Sequence, residues 1–304
     1  MLHVSVSGVM RLINEGTLTF SSTPSIAGFT LGNRYNSCSI NDQDLLFTGS
    51  LRSAPAATGV LRVKKSTITL PLFFAANQHV NLTCDMTHIY VSDSANQVIT
   101  KRDLSFVLLN TSGVIGGSNF GVSTDGTFVY CFSTATHTLL VLKCSDLSVV
   151  SSRIFLVAEP GYLGLAVMCD LNFVYLFTTV VAGNSQLIKI NKSTLATVTV
   201  GTLQNFVRAS SSTGLTSDGT NIYMVGDTSN TIGKFDIGTC NLISFISSAT
   251  YGGPSFAGAL GMYSDKWYDM MYLTPQYVQI VGGGSSRRYK PRPGLYTPFN
   301  SDIL

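Results

Sequence analysis

Six times along the chain an Asp stands five residues before an aromatic or apolar residue: Asp42/Phe47, Asp85/Tyr90, Asp125/Tyr130, Asp170/Tyr175, Asp218/Tyr223 and Asp265/Met270. Most successive Asp residues lie about 40 to 48 residues apart. The clearest copies read Ser-Thr-Asp-Gly-Thr-Phe-Val-Tyr (Ser123 to Tyr130) and Ser-Asp-Gly-Thr-Asn-Ile-Tyr (Ser217 to Tyr223). A seventh copy is cut by the chain ends, with Ser301-Asp302 at one end and Leu2-His3-Val4 at the other. Self-similarity at a period of about 40–50 residues is the mark of a β-propeller, in which each repeat makes one blade.

Within a repeat the residues divide into four short strands. The inner one ends at the turn Asp, as in Gly121-Val122-Ser123, and the second carries the aromatic position, as in Thr127 to Phe132. The third alternates apolar and polar residues, as in Gln97 to Lys101, Gln186 to Ile190 and Thr231 to Phe235. Alternation of this kind is the period of a half-buried strand. The fourth is Thr-rich and β-branched, as in Leu195 to Val200. Asp-Gly, Asn-Lys-Ser and Gly-Thr turns separate the runs, and no long stretch carries a helical period, so the chain reads as all-β. The turn Asp caps backbone N–H groups two residues on. Tyr90, Tyr130, Tyr175 and Tyr223 are expected to form a buried column between adjacent blades.

The ends supply the closure. Leu2 to Ser7, Gly8 to Asn14 and Gly16 to Ser21 read as second, third and fourth strands without an inner strand before them. Gly294 to Ser301 reads as a spare inner strand. Joined, they close a seven-bladed ring of four-stranded blades as a single domain, 1–304. The alternative of six blades leaves the first or last forty or so residues without a role.

The run Asp-Gly-x-x-Ile/Val-Tyr-Val, a small-residue turn and an Ile/Val-x-Lys-x-Asp third strand resembles YVTN/NHL-type propeller repeats, most closely from Val80 to Ser247. WD40 repeats are a poorer match, since no Gly-His…Trp-Asp pairs occur. The resemblance implies a toroid with a central channel and loop-built faces, and no single activity.

Chemistry is sparse. There are two Glu (Glu15 and Glu159) and four His (3, 79, 88 and 137). No zinc motif, phosphate loop or Ser-His-Asp order appears, so neither an enzyme nor a cofactor is expected. Cys84 and His88 flank one turn without a second ligand pair, and Glu159-Pro160-Gly161 reads as a turn. The six cysteines lack metal or redox spacing and suit small buried thiols. Met1 to Glu15 does not read as a secretory signal, which gives the sequons at Asn81, Asn110 and Asn191 little weight. No apolar run is long enough to span a membrane as a helix. A formal charge of +3 is too small to imply nucleic acid.

Charged residues are 12% of the chain, about half the ~25% of ordinary domains, and the mean hydropathy is +0.28. Such a surface risks self-association unless neighbours cover it. The expectation is therefore a structural or docking propeller among other protein subunits. The fitting class of assembly is a virion, such as a phage tail or capsid vertex, synthesised in the cytoplasm; a free cytoplasmic protein is the alternative. The candidate partner-binding residues are Arg287, Arg288, Tyr289, Lys290 and Arg292, read as one loop between a Gly/Ser-rich and a Pro-rich flank. The competing reading is a glycan- or ligand-binding propeller using Tyr162, Tyr251 and Trp267; a propeller hydrolase or lyase ranks below both.

Overall fold

The computed structural model describes most of residues 79–247 with side chains, and outside that span chiefly the backbone of its strands. The described strands assemble into six sheets of four or five strands and one separate two-stranded hairpin. Four sheets follow the chain in simple order. Blade III comprises His79–Cys84, His88–Asp93, Val98–Asp103 and Leu108–Thr111. Blade IV comprises Phe120–Thr124, Phe128–Ser133, Thr138–Lys143 and Val149–Ile154. Blade V comprises Leu163–Cys169, Phe173–Thr179, Ser185–Asn191 and Thr197–Thr202, and blade VI Leu215–Ser217, Asn221–Gly226, Thr231–Asp236 and Leu242–Ser247. All their pairings are antiparallel meanders, the cheapest topology for short alternating strands joined by tight turns.

Blade II differs at its inner position, where two short strands, Phe29–Leu31 and Ser37–Ser39, share one long partner, Asp44–Leu51. Ala54–Lys64 and Leu72–Ala75 complete it. Blade I is the composite one. Leu2–Val6, Val9–Ile13 and Phe20–Ser22 take the second, third and outer places, as the sequence suggests.

The inner strand of that blade corrects the sequence reading. It is Gly261–Ser264, with Leu2 opposite Ser264 and Val4 opposite Met262. Gly294 to Ser301, the expected closing strand, lies outside the described residues. The reason is local: Gly261–Ser264 is itself an inner strand leading into Asp265, and the N-terminal strand occupies the edge that a following strand would need. The inner strands then neighbour one another from blade I through blade VI and back to blade I. A seventh four-stranded sheet does not occur among the described residues.

The core lies between the blades. Tyr130, Phe132, Phe155, Val167, Tyr175, Phe177, Leu187 and Ile222 belong to one cluster running from blade IV into blade VI. A smaller cluster that includes Tyr90 joins blade III to blade IV, and another around Leu82 lies within blade III. These are the apolar faces that a single repeat cannot bury alone.

Candidate functional site

The repeated Asp and Tyr form one unit. In each described copy one carboxylate oxygen accepts two backbone N–H groups and the other accepts the Tyr hydroxyl. Asp170 Oδ1 takes the N–H of Asn172 at 2.8 Å and of Phe173 at 2.7 Å, and Tyr175 donates to Oδ2 at 2.7 Å. The same set joins Asp85 to Tyr90 and Asp125 to Tyr130, each hydroxyl at 2.9 Å, and Asp218 to Tyr223 at 2.7 Å. The four phenol rings are buried, as expected. The constant spacing of five residues was the available signal for the hydroxyl–carboxylate bond, which turn chemistry alone does not reveal. Burial, followed by the neighbouring Asp and Cys groups, pushes the phenols of Tyr90 and Tyr130 far above their ordinary range. Such hydroxyls stay protonated and serve as hydrogen-bond donors.

Cations cross from blade to blade on the same level. Opposite Tyr90 stands Lys101, and opposite Tyr175 stands Lys189. Lys101 Nζ donates to the carbonyl of Cys144 in the next blade at 2.7 Å, and Lys189 Nζ to that of Ile237 at 3.2 Å. In blade IV the equivalent position is Val141. There Lys192 enters from blade V and meets Asp125 Oδ2 at 2.6 Å, 5.0 Å above the Tyr130 ring. Burial alone would raise the Asp125 carboxyl, but Lys192 and the N–H groups of Phe128 and Thr127 outweigh it and hold it low.

The candidate chemistry-bearing residues settle into local roles. Glu159 Oε2 accepts the Leu156 N–H at 3.1 Å, and the Glu159 N–H returns to the Leu156 carbonyl at 2.8 Å, so Glu159 ends a turn that begins at Leu156, while Pro160 and Gly161 of the turn read from the sequence lie outside the described residues. His88 Nδ1 meets Thr87 Oγ1 at 2.8 Å within the Asp85 turn. Cys84, Cys131, Cys144, Cys169 and Cys240 are buried. Burial pushes the Cys131 thiol up to about 12. No group of three or more His, Cys, Asp or Glu residues placed to hold a metal occurs among the described residues.

The rim is different. The outer strands of blades III to VI have a strand partner on one side only among the described residues, and they and the residues flanking them carry apolar side chains in solvent. Val107, Leu108, Leu109, Val149, Val150, Ile154, Leu156, Val157, Val198, Ile243 and Phe245 are each roughly half exposed or more, Val157 reaching 68%. Blades III and IV are tied there by Asn110 Nδ2, which donates to the Asp146 carbonyl at 2.8 Å.

The residues read as a partner-binding loop are placed otherwise. Arg287, Arg288 and Tyr289 lie in a strand, Ser285–Tyr289, paired with Val278–Gly282. The loop reading is corrected there, because Ser285 pairs back to Gly282, Arg287 to Ile280 and Tyr289 to Val278. Lys290 and Arg292 lie outside the described residues, as do Tyr162, Tyr251 and Trp267.

No protein-family model matches the chain, and no curated protein matches it. Solved structures do. That of a nidogen/laminin complex is 12% identical at a TM-score of 0.65, covering 86% of this chain and 97% of that one. A putative 6-phosphogluconolactonase from Bacteroides fragilis is 11% identical at 0.54, covering 86% and 96%. A streptogramin B lyase is 13% identical at 0.52, covering 71% and 69%. At these identities the likeness establishes the β-propeller fold and nothing about activity.

Proposed function

We propose that this is a non-enzymatic docking propeller that works inside a larger assembly through its outer rim. The apolar outer strands of blades III to VI carry the reading. Exposed apolar side chains on a sheet edge are a liability in a free protein. Native edges are usually blunted with charge, yet Leu108–Thr111 has no charged residue and Val149–Ile154 has only Arg153. That guanidinium is itself turned aside, donating to the Leu195 carbonyl at 2.8 Å. Other protein subunits are the partners such a surface fits, since burial of the rim both stabilises the complex and removes the edge.

The finer proposal is that the assembly is a virion, with cytoplasmic synthesis. A 12% charged content supports it, since a chain covered by neighbours needs few charges for solubility. Arg287, Arg288, Tyr289, Lys290 and Arg292 are proposed as accessory contacts, pairing carboxylates of a neighbour.

The test is to place charge on the rim. Val150→Lys with Ile154→Lys should leave the melting temperature close to wild type, because both side chains already face solvent. Incorporation into particles, read by co-sedimentation and peptide mass spectrometry, should fall sharply. Unchanged incorporation would overturn the rim as the docking surface. Absence of the wild-type chain from purified particles would overturn the virion proposal.

A further inference from the structure

We draw no further inference here: the strongest candidate, the apolar outer edge of blades III and IV, where Val107, Leu108, Leu109, Val149 and Val150 stand exposed, already carries the docking reading, and nothing in the structure shows what covers it.

Discussion

Each repeat turns on one carboxylate. Asp125 accepts from Thr127, Phe128, Tyr130 and Lys192, so its removal strands four donors, whereas loss of the Tyr130 hydroxyl strands one oxygen. Tyr130→Phe should therefore cost about 1.5–3 kcal/mol, the range for a hydrogen bond to a charged group. Tyr130→Ala should cost about 3–5 kcal/mol, like other large core truncations. Urea titrations of both variants check the ratio; a Tyr130→Phe variant as stable as wild type would mean the hydroxyl bond contributes nothing. The depressed Asp125 and Asp218 carboxyls also set an acid limit. Burial opposes ionisation at both, and is outweighed at Asp125 by Lys192 and at Asp218 by the Asn221 N–H, Tyr223 and the Thr220 N–H. A folded value below the unfolded one of about 3.9 gives stabilisation that is complete above that value and is lost as pH falls through the folded one. Stability should drop below about pH 4.5, and more shallowly in Asp218→Asn, as followed by denaturation midpoints across pH.

At the level of elements, blades approach so closely that side-chain size is fixed. A Cβ on Gly201 of blade V would lie 2.0 Å from the Cys240 carbonyl oxygen in blade VI, and one on Gly121 would lie 2.7 Å from the Val167 nitrogen. Both obstacles are backbone, so Gly201→Ala should cost at least the ~1–3 kcal/mol of ordinary overpacking, with the two blades forced apart. A melting temperature within error of wild type would show that the blades are not so tightly nested. The turns between third and outer strands repeat another device. Phe106, Leu147, Leu195 and Cys240 all have φ between 55° and 67° and are all buried. Left-handed backbone costs an ordinary residue about 1–2 kcal/mol, and burial of the side chain in the interblade core offsets it. Gln97 has φ 58° at an exposed position with no such compensation. Gln97→Gly should accordingly be neutral or stabilising by up to about 1 kcal/mol, which thermal melts would show.

Across the whole molecule, closure is the decisive event. Pairing of Leu2–Val6 with Gly261–Ser264 brings together segments from opposite ends of the chain. Truncation after Tyr289 should leave the melting temperature of the ring almost unchanged, whereas deletion of residues 1–13 should cost several kcal/mol by exposing an inner strand on one edge. The opposite order of effects would restore Gly294 to Ser301 as the closing strand. Long-range closure of this kind brings slow folding, since the loop entropy is lost before the contact forms.

The sequence by itself determined the strand pattern, the capping Asp, the buried Tyr column and the division of one blade between the chain ends. These rest on local chemistry: alternation, turn residues and a fixed five-residue spacing report on neighbours within one repeat. It did not determine which strand closes the ring, because Gly261–Ser264 and Gly294 to Ser301 each end in Ser-Asp and look alike as strings. Only the fold decides which of two similar strands meets an edge, since an edge accepts one partner and the geometry of the ring selects it. The substitution of Val141 for a cation was likewise invisible as a compensated change, for Lys192 lies 67 positions from Asp125. The apolar rim was concealed for the same reason. Val149 and Val141 read as equivalent β-branched strand residues, and one is 59% exposed while the other is 5% exposed, because burial depends on whether another blade lies against the strand.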